Sequence, residues 1–413
     1  MKPKGELSIK KEKPLEGLNV LDFSWVVVGP LLTRHLADYG ATVVRVESNK
    51  HPDTLRTTAP YKDNQPGIDR SGYVSNYAAG KYSITLDLNH PKGIAIAGKL
   101  VKWADIVIDS FATGVIDRLG LGYDELRRIK PDIIMVSTSQ LRQSGPYPPF
   151  RGYGMHGAAL AGFYSITGWP GREPIGPYGA YTDGIAFETL LVAVLSAIDY
   201  HHRTGEGQRI EQSQVESGIH VLAPAVLDYG VNGRMAGPAG NSHPYAAPHN
   251  VYRCRGEDRW CVIAVFTDAE WRCFCDVMGN PPWTRDAKFS SQAQRKKNES
   301  ELDRLVEERT ITRSAEEVML SLQEKGVSAG VVQTGEDLHR DPQLKHRSHY
   351  QVLEHKVIGP HSYDTSSFRL SKTPGKPEWA APLIGEHSEY VCRNILGMTD
   401  DEIAELVVEG VFD

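Results

Sequence analysis

Residues 18–48 read LNVLDFSWVVVGPLLTRHLADYGATVVRVES, and their periodicity changes twice. "LNVLDF" is an apolar run of strand length, and Gly29-Pro30 marks a turn after it. "LLTRHLADYG" carries apolar residues at helical spacing and closes on a glycine, after which "ATVVRVES" returns to β-branched residues. The pattern strand, turn, helix, strand recurs downstream. "GIAIAGKLVKWA" predicts a helix, "DIVIDSF" a strand, "YDELRRIK" a short helix and "PDIIMVSTS" a further strand. Strands alternating with helices imply an α/β fold with a doubly wound parallel sheet, which takes ligands beyond the carboxyl ends of its strands. "SWVVVGP" stands where a dinucleotide fold needs G-x-G-x-x-G. Three valines, Val26 to Val28, would keep a pyrophosphate from the backbone, so nicotinamide chemistry is disfavoured.

With 413 residues, 40% hydrophobic and 24% charged, the chain has the composition of a soluble globular protein of two domains. A net charge of −6 with interspersed signs gives no reason to expect nucleic acid or an anionic membrane as partner. The basic head "MKPKGELSIKKEKP" lacks the apolar core of a signal peptide, and residues 1–16 read as a flexible tail or an arm docking on another subunit. The longest apolar helical candidate, 185–198, is interrupted by Glu188 and falls short of the roughly 20 residues that span a bilayer. Five cysteines without a framework point to free thiols, a reducing compartment and a cytoplasmic location. Cys273 and Cys275 lie one residue apart on a helical pattern and face different ways, so no metal site is expected.

The spacing predicts a large domain over 17–230, including a long helix at 185–202, a strand-like "RIEQ" and a second helical run at 212–229. The Gly/Pro-rich stretch 231–250 reads as linker and loop. A smaller α/β domain occupies 251–335, and 336–413 returns to complete the first domain. "GVSAG" (326–330) matches the serine-hydrolase elbow, but a charged helix precedes it and an extended run comes after it, the reverse of the required context. Gly326 reads as a helix C-cap. His339, His346, His349 and His355 are irregularly spaced and read as a solvated, mobile segment rather than a metal site. Asp183 opens the long helix after a Gly/Pro/Tyr-rich loop, where Asp is a favoured N-cap. The positive helix end would keep it ionised, Gly184 leaves space beside it, and Gly179 lets the loop approach a ligand. These residues alone leave cap and nucleophile both open.

Several segments taken together resemble the class III CoA-transferases, a family that includes formyl-CoA transferase, carnitine CoA-transferase and α-methylacyl-CoA racemase. They are "PLEGLNVLDFSWVVVGPLLTRHLADYGATVVRVES", "KYSITLDLNHPKG", "ADIVIDSFATGVIDRLGLGYDEL", "QLRQSGPYPPFRGYGMHGAALAGFYSITG", "GNSHPYAAPHNVYRC" and "PLIGEHSEYV". The resemblance implies a Rossmann-like large domain, a smaller α/β domain and an interlocked dimer, built as a homodimer or with a related subunit. It makes Asp183 the catalytic nucleophile, forming an acyl-aspartyl anhydride. It places Lys81, Arg118 and Arg151 on CoA phosphates and Phe111 against the adenine, with Ser110 also lining CoA. Arg151 and Tyr153 also face the reacting end, Val26 and Val27 match a substrate-lining turn, and His243, Pro244 and Tyr245 lie in the active-site loop. No tightly bound cofactor is implied, only a coenzyme A thioester as substrate. Val27 replaces a Gln of formyl-CoA transferase, and "HPYAAPH" replaces its glycine run, so a bulkier acid than formate or oxalate is expected. Within the family the chain looks most like benzylsuccinate CoA-transferase subunits, which points to succinyl-CoA as donor and (R)-benzylsuccinate as acceptor. Two other readings are a 2-methylacyl-CoA racemase and a non-catalytic or partner-dependent subunit. The racemase His is missing from "GYG", and His156, three residues on, would face elsewhere.

Overall fold

The computed structural model describes residues 13–141, 145–147, 150 and 152–413. The basic head up to residue 12 and Arg151 lie outside the described residues. Two compact units form. One comprises the chain up to Phe163, Gly176–Met235 and Gln343–Asp413, and the other Tyr164–Ile175 and Ala236–Pro342.

The first unit is built on six parallel strands: β1 (Asn19–Asp22), β2 (Thr42–Glu47), β3 (Tyr82–Thr85), β4 (Ile106–Asp109), β5 (Ile134–Ser139) and β6 (Arg209–Ser213). Their order across the sheet is β3-β2-β1-β4-β5-β6, so the winding direction reverses between β1 and β4. Alternate residues of each strand enter opposite cores, as the two-residue period of a strand requires. Leu21, Val44, Val107 and Met135 pack on one face with Ile96, Leu100 and the C-terminal Val391, Leu406 and Val411. Val20, Val43, Ile106, Ile108, Ile134 and Val136 pack on the other with Leu32, Leu36 and residues of the helix Tyr181–Thr204. The final segment is tied in by Thr85 Oγ1, which donates to the Phe412 carbonyl at 2.7 Å, and by the stacked rings of Tyr82 and Tyr390.

The helix Tyr181–Thr204 is longer than its sequence pattern predicts. Glu188 does not break it, and by length and composition its 24 residues are long and apolar enough to cross a membrane. Its buried positions Asp183, Ala186, Phe187, Leu190, Val194, Ala197 and Ile198 recur every three or four residues. The apolar members of that stripe pack on the sheet, while Val192 and Leu195 of the same run are exposed. The run 212–229 is likewise two helices, Gln214–Val221 and Ala223–Asn232, separated at Leu222 because Pro224 cannot continue the first.

The His-rich segment is not a mobile loop. It forms the short helices Gly335–Arg340 and Pro342–His346 and then the hairpin β10 (Tyr350–His355) and β11 (Gly359–Asp364), labelled after the second unit's three strands. His355 is buried and its Nδ1 accepts the N–H groups of Val357 and Ile358, so the ring closes the hairpin turn.

In the second unit β7 (His249–Arg253), β8 (Trp260–Ala264) and β9 (Ser328–Val331) form an antiparallel sheet. It is covered by Phe274, Leu302, Val306, Val318 and Leu322. Ser328 lies on β9 after the left-handed Gly326 that ends a helix, so "GVSAG" has no elbow. His243 Nδ1 accepts the Tyr245 N–H, and the imidazole contacts the His249 and Phe266 rings.

Candidate active site

A cleft of about 460 Å³ opens at the carboxyl ends of β1, β4, β5 and β6, where the strand order reverses. Open α/β sheets take ligands at that point because the two flanking loops diverge there. The loop after β1 supplies Trp25 to Val28, the loop after β4 Ser110 to Ala112, the end of β5 Thr138 to Gln140, and the residue after β6 Gln214. Asp183, Tyr153 and His156 complete the wall.

The β1 loop is clamped from two sides. Trp25 N–H donates to Ser110 Oγ at 2.8 Å, and the same hydroxyl donates back to the Trp25 carbonyl at 3.0 Å. Val26 N–H donates to both oxygens of Asp53, at 3.2 and 3.1 Å. Asp53 is paired in turn with the buried Arg45. These bonds hold Val26 at φ +67°, a conformation that a β-branched side chain rarely adopts. Phe111 meets Trp25 edge-on at 6.0 Å, and its N–H is held by Asp109, which also accepts the Ser137 hydroxyl at 2.6 Å.

A second lobe of about 950 Å³ shares Val26, Val27 and Tyr153 with the first. Tyr73, Tyr77, Tyr178, Tyr181 and Phe187 line it, beside Gly184. Tyr153, 59% exposed, belongs to both lobes. Nothing lies within 4 Å of a Cβ built on Gly184, so the space expected beside Asp183 is present.

Asp183 is 4% exposed and sits in the first turn of its helix rather than at the cap. Ala180 is the N-cap and no side chain caps this helix, which removes the cap reading. Burial pushes the Asp183 carboxyl up to about 6, against hydrogen bonds from the Gln214 side chain and a backbone N–H. Desolvation, and not the helix end expected from the sequence, therefore dominates. Oδ2 has no hydrogen-bond partner among the described residues and lies directly against Gly154. A carboxylate with one bare oxygen, poised near neutrality on a cleft wall, is suited to nucleophilic attack.

Lys81 departs from its expected role. It is fully buried beneath the sheet end, 3.3 Å from Asp22, and donates to Thr33 Oγ1 at 2.7 Å and the Pro30 carbonyl at 2.8 Å. Burial lowers its ammonium to about 8 against the attraction of Asp22. It supports the β1 loop from below and does not reach a ligand phosphate. Arg118 is exposed on the short helix Val115–Arg118, with no ion pair among the described residues. His156, expected to face elsewhere, lines the cleft, and its Nδ1 accepts the Tyr153 N–H at 3.1 Å. His243, Pro244 and Tyr245 belong to the second unit. Gln140, Gln214, Trp25, Asp53 and Gly154 also shape the site, although no sequence motif singles them out. Their signal is position alone, because most stand next to a strand's carboxyl end.

A family model described as CoA-transferase family III matches residues 15–388, and the chain belongs to that family. Succinyl-CoA–D-citramalate CoA-transferase of Chloroflexus aurantiacus is 30% identical over 98% of this chain and 99% of its own. Succinate–glutarate CoA-transferase of Agrobacterium fabrum is 29% identical, with coverage of 93% and 96%. Formyl-CoA:oxalate CoA-transferase of Rhodopseudomonas palustris is 28% identical, with coverage of 97% and 98%. Among solved structures, a CAIB/BAIF family protein from Brucella suis superposes with a TM-score of 0.85 at 29% identity, covering 93% of this chain and all of that one. The protein is a CoA-transferase whose substrates are a CoA thioester and a carboxylic acid.

Proposed function

We propose that the protein transfers CoA from succinyl-CoA to a dicarboxylic acid bearing a bulky apolar substituent, of the size and character of (R)-benzylsuccinate. The observation that carries this reading is the roughly 950 Å³ aromatic lobe that shares Val26, Val27 and Tyr153 with the Asp183 cleft and is lined by Tyr73, Tyr77, Tyr178, Tyr181 and Phe187. Aromatic rings bury an aryl or alkyl group at low cost, and the phenolic hydroxyls are available to a carboxylate. The relatives' names pair a CoA donor with citramalate, glutarate or oxalate, all dicarboxylates, which supports the acid class.

In this reading the Asp183 carboxylate adds to the thioester carbonyl and expels the CoA thiolate, leaving a mixed anhydride. The thiolate then adds to the aspartyl carbonyl and releases succinate, giving an aspartyl thioester. The acceptor carboxylate adds to the aspartyl carbonyl and displaces the thiolate, and the thiolate then adds to the acceptor's acyl carbonyl and expels Asp183 as its free carboxylate. Each step exchanges one activated acyl bond for another, so no ATP is consumed. Ser110 and Phe111 flank CoA, and Arg118 and Arg151 serve its phosphates.

We propose further that the chain works as a dimer with itself or a related subunit. The helix Ala223–Asn232 buries none of its residues within the first unit and exposes Val226, Leu227, Tyr229 and Val231, which supports a partner surface. Five free cysteines fit a cytoplasmic location. His156 on the same wall as Asp183 favours one secondary reading, proton exchange at C2 of a bound acyl-CoA; deuterium wash-in from solvent would reveal it.

The test is transfer from succinyl-CoA to a panel of oxalate, formate, glutarate, citramalate and benzylsuccinate. The reading requires the highest kcat/KM for the bulkiest acid, by at least tenfold over oxalate. Preference for oxalate or formate would overturn it.

A further inference from the structure

The last registered pair of β5 and β6 is Ser139 with Ser213, so Gln140 and Gln214 emerge side by side one residue beyond the sheet. The Gln140 carbonyl ties the two ends, accepting the Val215 N–H at 3.1 Å and the Ser213 hydroxyl at 3.0 Å. Both side chains are buried, both line the cleft with Asp183, and Gln140 Nε2 donates to Gln214 Oε1 at 2.6 Å. That bond occupies the acceptor end of the Gln214 amide and leaves its NH2 for the cleft that Gln214 lines together with Asp183, where its polarity favours the ionised Asp183 carboxyl. A buried amide fixed in one orientation, with its NH2 left to the cleft that holds a reactive carboxylate, is a preorganised dipole.

We propose that Gln214 is a catalytic residue that donates to the aspartyl carbonyl oxygen whenever Asp183 is the electrophile, and that Gln140 is its positioning residue. The proposal rests on the reading of Asp183 as nucleophile. In the anhydride, the CoA sulfur adds to Asp183 Cγ and the C=O π pair moves onto oxygen, where the Gln214 N–H receives the charge. Collapse restores the carbonyl and expels succinate as its carboxylate. The same oxygen carries charge again when the acceptor carboxylate adds to Cγ and the thiolate leaves. Oδ2 has no hydrogen-bond partner among the described residues, so Oδ2 is given the attack and the other oxygen the carbonyl role.

The experiment compares Gln214→Met, Gln214→Glu and Gln140→Met with the unaltered protein, measuring kcat, the KM for succinyl-CoA, the pH profile, and hydroxylamine trapping on the Asp183 peptide. Loss of one preorganised oxyanion donor typically costs about 100-fold in kcat or more. The expected result for Q214M is a kcat loss of about that size, a KM within threefold, a larger trapped fraction of aspartyl intermediate and an acid limb moved to higher pH. Q140M should show the same signature at about tenfold, which a merely structural role would not produce. Should Q214M fail to fold, Q214E keeps the size of the side chain and carries the test, with the same loss expected at pH 8. Wild-type kcat in the folded variants, or a raised KM with kcat unchanged, overturns the proposal. If the unaltered protein itself traps no adduct, the reading of Asp183 fails instead, so the two failures are distinguishable.

Discussion

Replacing Gly154 by Ala adds one methyl group at the most consequential point of the cleft. Gly154 opens the helix Gly154–Ala161 with an ordinary helical backbone, and Ala is the better helix former there, so no conformational strain opposes the change. The cost is steric. A Cβ at this position would overlap Asp183 Oδ2, inside the 3.0 Å that real Cβ atoms respect, and would stand 3.0 Å from Cα and Cβ of Ala180. Ala180 is the N-cap of the helix that carries Asp183, so backbone relief on that side is limited. The carboxylate must then swing by roughly 1 Å or more, and a misplacement of that size costs about 100-fold in rate. Overpacking should add about 1–3 kcal/mol of destabilisation. Steady-state transfer from succinyl-CoA, followed by chromatography of the CoA thioesters, measures the first effect and thermal unfolding the second. The expected result is a kcat/KM loss of about two orders of magnitude in a protein that still folds cooperatively. Activity within threefold of the unaltered protein would show that Asp183 does not need its present place against Gly154.

The site carries four further expected outcomes. Because burial holds the Asp183 carboxyl near 6, kcat/KM should fall about tenfold per pH unit below that value, read from a pH–rate profile. The raised value means that the folded state binds this proton more readily than the unfolded chain. Ionised Asp183 therefore costs stability above pH 6, and that cost fades as the pH falls toward 4. Asp183→Asn should accordingly abolish transfer yet gain about 1–3 kcal/mol of stability at pH 7, checked by calorimetry. Lys81→Met removes the ion pair of buried Asp22, which keeps its hydrogen bonds from Ser24 and Thr33 and the attraction of Arg45, and should cost about 1–3 kcal/mol, with recovery in the Lys81→Met, Asp22→Asn pair and no change in the KM for CoA esters. Arg118→Ala should raise the KM for succinyl-CoA severalfold but leave that for a succinyl-pantetheine thioester unchanged.

The parallel sheet is legible because residues 18–48 switch period at each element, and β1, β2, β4 and β5 each fall within the apolar run that predicts them. β3 is not, since "YSIT" is short and its apolar partners lie at the far end of the chain, near Tyr390 and Val411. The helix Tyr181–Thr204 extends the expected 185–202 at both ends, because its first turn, Tyr181 to Gly184, carries no apolar periodicity that marks it as helical. Within the site, the loops at the strand ends are legible from position, whereas residue type and position leave Asp183 between cap and nucleophile, and only the family resemblance singles it out. The place of Lys81 is not legible, because a lysine's sequence neighbours do not reveal that it will be buried over Asp22. Gln140 and Gln214 are 74 residues apart and meet only because β5 and β6 pair in register. The dominance of burial over the helix end at Asp183 is likewise a property of the packed cleft.

The most direct measurement is mass spectrometry of the protein incubated with succinyl-CoA and quenched with hydroxylamine. A hydroxamate on the peptide carrying Asp183, absent from the Asp183→Asn variant, is the result predicted for a covalent aspartyl intermediate. An unmodified Asp183 peptide during active turnover of succinyl-CoA would contradict it.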